Sequence, residues 1–93
     1  MSKYIVVELN GAEEIFIFPK KISHDRMMES IGAVKMGSFN NWRREYRSAV
    51  VVSAGFIDNG VCHGRSETLK VSSRGTIDTQ LFLTSVDCSK ASA

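Results

Sequence analysis

The chain is poor in the residues that staple or break a fold. It has one proline and two cysteines in 93 residues. Cys62 and Cys88 form no Cys-x-x-Cys pair, and two scattered thiols are not a disulfide framework. With His24 and His63 they are the only soft ligands, and nothing has a zinc-site spacing, so no metal and no cofactor is expected. No apolar run approaches the ~20 residues that cross a bilayer as a helix. The start, Met1-Ser2-Lys3-Tyr4, enters a strand pattern without an apolar signal core or a small-residue cleavage site. These absences predict a cytosolic protein with free thiols and no membrane contact. Charge is also scarce in excess. The net charge is +2, with eight Lys and Arg against six Asp and Glu in residues 1–47 and four of each in 48–93. Domains built for phosphate backbones are far more basic. The 43% apolar and 24% charged fractions suit a folded domain and argue against disorder.

What is present begins with a hairpin. Tyr4-Ile5-Val6-Val7-Glu8-Leu9 and Glu14-Ile15-Phe16-Ile17-Phe18 flank Asn10-Gly11, a strong turn signal. Pairing across that turn puts Ile5, Val7 and Leu9 on one face with Phe16 and Phe18. The other face, with Val6, Glu8, Ile15 and Ile17, is only partly polar. Pro19 has no amide to donate and ends the second strand.

A helix follows. Ser23 suits an N-cap, Asp25 the first turn, and Ile22 with Met27 a hydrophobic staple. Met27, Met28, Ile31 and Val34 share one stripe, and Gly37 suits the C-terminal cap. Gly32 weakens the helix interior or allows close packing on a sheet. His24 reads as an exposed first-turn residue.

Residues 37–42 read as a loop. A third strand covers Arg47 to Ile57, and its run Ala49-Val50-Val51-Val52 predicts burial on both faces, as in a central strand. Asp58-Asn59-Gly60 predicts a turn that returns the chain antiparallel. A fourth strand runs from Val61 towards Val71, interrupted at Gly64. The segment from Thr76 to Val86 carries both strand and helix signals, and Asp78 with Ile77 and Leu81 favours a short helix. The expected fold is therefore α+β, in the order β-β-α-β-β with a short C-terminal helix. One antiparallel sheet of about four strands, two hairpins, buries one face under the first helix. Residues 1–88 read as one domain and residues 89–93 as a frayed tail.

Two polar clusters adjoin the central strand. The first is Trp42-Arg43-Arg44-Glu45-Tyr46-Arg47. Trp42, Arg43, Arg44, Tyr46 and Arg47 are residue types that dominate protein-binding hot spots, and arginine beside aromatics also grips nucleic acid. The plain alternative is a solvated loop whose Trp caps the core. The second is Cys62-His63-Gly64-Arg65-Ser66-Glu67-Thr68. A nucleophile and base could be drawn from it. However, only two residues separate Cys62 from Arg65, too few for a loop of amides around a phosphate. In a strand, Cys62 and His63 also point to opposite faces. A strand with one inward Cys and one outward His is the simplest reading. Binding of an anion by His63, Arg65, Ser66 and Thr68 is the functional one, with Gly64 allowing close approach of the backbone.

The phrases Ile22-Ser23-His24-Asp25, Ser53-Ala54-Gly55-Phe56, Cys62 to Leu69 and Ser73-Arg74-Gly75-Thr76-Ile77-Asp78-Thr79 resemble small proteins encoded by bacteriophages and prophages. The resemblance implies a bacterial host-cell setting and proteins that work by binding host or phage components. It implies no site residue. The expected function is a non-enzymatic interaction protein that binds a host or phage macromolecule through the arginine and aromatic patch. The alternative is a binder of a phosphate-bearing ligand, a nucleotide or nucleic acid, through residues 62–68. A protein is the expected partner, nucleic acid a second, and a homodimer through an exposed edge strand or the second hairpin face is open.

Overall fold

A computed structural model describes residues 1–35 and 49–92, with side chains described at 1–33 and 49–85. The patch Trp42 to Arg47 lies outside the described residues, as does the side chain of Cys88.

The first two strands form the expected hairpin. β1 (Ser2–Leu9) pairs antiparallel with β2 (Ala12–Pro19), with Ile5 opposite Phe16 and Leu9 opposite Ala12. The two-residue turn between them places Asn10 at φ 56° and Gly11 at φ 84°. Both positive angles match the strand twist, and Asn and Gly adopt them at least cost.

The first helix is shorter than its stripe predicts. α1 covers His24–Ser30, and Gly32 follows at φ 76° in the left-handed region. That glycine ends the helix before Gly37 is reached. Val34 accordingly leaves the predicted stripe and joins β3 (Ala33–Lys35). A seven-residue helix is unstable alone, so α1 depends on packing. Ile22, Met27, Met28 and Ile31 supply it against the core.

β4 (Ala49–Asp58) is the central strand. One edge pairs antiparallel with β1. The other carries β3 at its start and β5 (Val61–His63) at its end. β2, β1, β4 and β5 thus form the expected four-stranded antiparallel sheet of two hairpins. β3 adds a parallel pairing that the sequence reading omits. Asn59 and Gly60 form the second tight turn, at φ 53° and 80°. Val51 is fully buried, while Ala49, Val50 and Val52 are half-buried. Val6 pairs with Ser53 and Val7 with Val51, so Val52 is an extra bulge residue.

The predicted fourth strand breaks at Gly64, at φ 82°. Beyond it β6 (Arg65–Ser66) and β7 (Val71–Ser72) form a small second sheet. α2 then runs Thr76–Ser92. It is longer than the short helix expected and includes most of the segment read as a tail. No helix among the described residues is long and apolar enough to cross a membrane.

The sheet is covered on both faces, not one. On one side Ile5, Val7, Phe18, Ala33, Val51, Ala54 and Leu69 form a core with α1. On the other, Tyr4, Val6, Ile57 and Cys62 pack with Ile15, Val52, Leu81 and Phe82. Val6 and Ile15 on the second hairpin face therefore meet α2, while Ile17 stays exposed. The α+β class stands, with helices on opposite faces.

Candidate functional site

On the α1 side, β1, the start of α1, β4 and the segment after β6 meet around a cleft of about 390 Å³. Lys3, Ser23, His24, Phe56, Arg65, Glu67 and Thr68 line it. Lys3 follows from strand alternation, since it shares a face with Ile5 and Val7 at the open end of the sheet. Its ammonium donates to the carbonyl of Ile22 at 3.1 Å and keeps further N–H groups free.

His24 forms a wall of the cleft and is 4% exposed, which corrects the expectation of a surface residue. Its Nε2–H donates to the Gly55 carbonyl at 2.9 Å. Edge-to-face contacts hold the ring between Phe18, at 5.5 Å, and Phe56, at 5.9 Å. Burial pushes its pKa below the ordinary histidine value, against the smaller opposing effect of the Gly55 bond. The imidazole is thus a neutral wall rather than a third cation.

Four residues were expected to bind an anion, and the fold brings two of them to the cleft. Arg65 is exposed, and its Nε lies 3.6 Å from the Glu67 carboxylate. Such an exposed pair is weak, so the guanidinium is available to a better acceptor. Thr68 is also exposed. Ser66 is fully buried; its Oγ accepts the amide of Leu69 at 3.1 Å and lies 3.3 Å from the Thr68 hydroxyl. It shapes the turn that presents Thr68. His63 stacks on Phe56, with ring centroids 6.3 Å apart, and does not line the cleft. Lys3, Ser23, His24, Phe56 and Glu67 are the cleft residues that local reasoning missed. Only the tertiary fold joins residue 3 to residue 65.

Cys62 and His63 lie apart, as strand alternation requires. Cys62 is buried in the core beneath α2, and burial pushes its thiol pKa up. His63 is exposed beside Phe56. The pair does not form a nucleophile with its base.

A second polar cluster lies sealed under α2. Tyr4 donates to Asp78 at 2.5 Å and also lies 2.6 Å from Ser73 Oγ. Asp78 accepts the Arg74 amide at 2.9 Å and Arg74 Nε at 2.8 Å. Arg74 extends outward in two bonds to Glu13, at 2.9 and 3.0 Å. Burial raises the Asp78 pKa, but hydrogen bonds from Tyr4 and Arg74 outweigh it and the net shift is downward. Ser53 is close enough to contribute to that lowering, yet its hydroxyl makes no well-formed hydrogen bond among the described residues. Tyr4, Ser53 and Asp78 are fully buried, so this network supports the fold and offers no access to a ligand.

Comparison with protein-family models, curated proteins and solved structures finds no match for the chain.

Proposed function

We propose that this chain is a non-enzymatic binding protein that grips an anionic group, a phosphate or a carboxylate, in the cleft between α1 and residues 65–68. One observation supports this above all: Lys3, Arg65 and Thr68 reach the same cleft from separate segments of the chain. Lys3 and Arg65 supply charge and Thr68 a hydroxyl, while Glu67 in the lining and Asp25, which the Ser23 side chain hydrogen-bonds, oppose them. Charge-assisted hydrogen bonds from such a set favour a planar or tetrahedral oxyanion. Because the Arg65–Glu67 pair is exposed, an incoming anion displaces Glu67 at small cost.

The anion belongs either to a small molecule or to a host or phage macromolecule. Thermal-shift and calorimetric titrations with inorganic phosphate, a nucleoside monophosphate, a short oligonucleotide and a glutamate-rich peptide separate these. A ligand that binds only the folded state raises its melting temperature by mass action. Arg65→Ala is expected to remove most of the shift, and a steep salt dependence marks a polyanion. If none of the four binds, or if Arg65→Ala binds as tightly as wild type, the reading fails. Arg43→Ala/Arg44→Ala forms a separate arm for the patch at residues 42–47. Loss of binding there with Arg65→Ala unaffected moves the function to that patch.

A further inference from the structure

The outer edge of the sheet carries a second inference, independent of the cleft. β2 pairs only with β1 and has a free edge among the described residues. The two-residue turn makes Leu9 and Ala12 a hydrogen-bonded pair, so bonding to β1 alternates from there along the strand. Ala12, Glu14, Phe16 and Phe18 direct their backbone groups to β1. Glu13, Ile15 and Ile17 direct theirs outward. Pro19 falls on the outward set too, where its missing amide takes nothing from the β1 ladder.

This edge is guarded only towards its ends, by Glu13 and Glu14 near the turn and by Pro19. It is eight residues long, without a lysine or an internal proline. Ile17 is 42% exposed, and Ile15 and Phe16 are half-buried. We infer that β2 pairs antiparallel with β2 of a second copy, about a two-fold axis at Phe16, to make one continuous sheet across a homodimer.

Self-complementarity selects the register. Pairing about Phe16 sets Ile15 against the partner's Ile17, and each such pair exchanges two backbone hydrogen bonds. Glu13 then meets the partner's Pro19, whose carbonyl already accepts the Ile22 amide at 3.1 Å, so the shared ladder ends there. Glu14 lies opposite the partner's Phe18, next to the hollow that the partner's Lys20 lines as the first residue of the turn after β2. Glu14 and the partner's Lys20 carry opposite charge, and the pair occurs twice by symmetry. A register centred on Ile15 would instead face Glu14 with the partner's Phe16 and leave the lysines beyond reach. At the Pro19 end, Met1, Ser2, Ile17, Phe18, Pro19, Lys20 and Lys21 line a hollow of about 570 Å³. It lies where the partner's acidic Ala12-Glu13-Glu14 segment arrives.

Sedimentation equilibrium at low salt tests this on the full chain. Wild type is expected to dimerise reversibly. Glu14→Lys and Lys20→Glu each put like charges together and are expected to weaken the dimer about tenfold. Glu14→Lys/Lys20→Glu restores both attractions and is expected to recover dimerisation. Both side chains are exposed, so the variants fold, and circular dichroism checks it. A chain that stays monomeric up to about 1 mM overturns the inference. So does a dimer that ignores the single substitutions, or one that the double swap fails to restore.

Discussion

Tyr4 of β1 donates its phenolic hydrogen to Asp78 of α2, at 2.5 Å and across 74 positions of chain. The bond fastens the last helix to the first strand at the centre of a buried polar cluster. Both side chains are fully buried, so neither can exchange its partner for water. Tyr4→Phe removes the donor and leaves the carboxylate under-satisfied. A lost bond to a buried charge costs about 1.5–3 kcal/mol. Urea denaturation of the variant is expected to show a lowered midpoint of that size, and an unchanged midpoint would mean the bond contributes nothing.

The same network and His24 set the pH range of stability. Burial holds the His24 pKa below its ordinary value of 6.5, so the unfolded chain takes up that proton first. Stability from this group is complete above pH 6.5 and declines as pH falls below it. The Asp78 pKa is also lowered, and its contribution is lost as pH falls below the ordinary value of 3.8. Tyr4 moves the other way. Burial and then the Asp78 carboxylate raise its pKa above the ordinary 10.0, so stability declines as pH rises past that value. Melting temperatures measured across pH are expected to form a plateau between these limits. His24→Phe should flatten the slope just below pH 6.5; an unaltered slope would assign it to another group.

Gly55 sits where no other residue fits. A Cβ there would strike the carbonyl oxygen of His63 and crowd the Cβ of Ser73. The obstacle is backbone, which cannot turn aside as a side chain does. Gly55→Ala is expected to push β5 from β4 and to cost about 1–3 kcal/mol, the usual range for overpacking. Gly11→Ala is a control for backbone strain without a clash, since its φ is positive but the space around it is open. Chemical denaturation of both, with amide exchange at Val61 to His63, distinguishes a displaced strand from a strained turn. If Gly55→Ala exchanges at those amides as wild type does, the close approach is not limiting.

The parts of the fold governed by neighbouring residues were legible in the sequence. Asn10-Gly11 and Asn59-Gly60 announced two hairpins, and the Val50-Val51-Val52 run announced the central strand, because turn angles and β-branched packing are local properties. The length of α1 was not legible, since Gly32 reads equally as a tolerated interior glycine or as a stop. The second buried face was visible in Val6 and Ile15. Its cover was not, because residues 76–86 satisfy strand and helix patterns alike. Arg65 and Thr68 were marked by their chemistry, whereas Lys3 and His24 joined them only through tertiary contact. Ser66 was misjudged for a related reason: its hydroxyl serves a buried local turn rather than the surface.

Val51 and Arg65 separate stability from binding most sharply. Val51 is fully buried in the α1-side core, and Val51→Ala removes two methyl groups and leaves a cavity. The expected cost is about 1–3 kcal/mol, with any anion still bound by the fraction that remains folded. Arg65 is exposed, and its one described ion pair is a loose surface contact at 3.6 Å. Arg65→Ala should change stability by no more than about 0.5 kcal/mol while weakening anion binding. Denaturation curves and anion titrations on both variants should therefore give opposite patterns. If Arg65→Ala unfolds the protein, its guanidinium is part of the scaffold, and the cleft loses the residue on which its proposed chemistry depends.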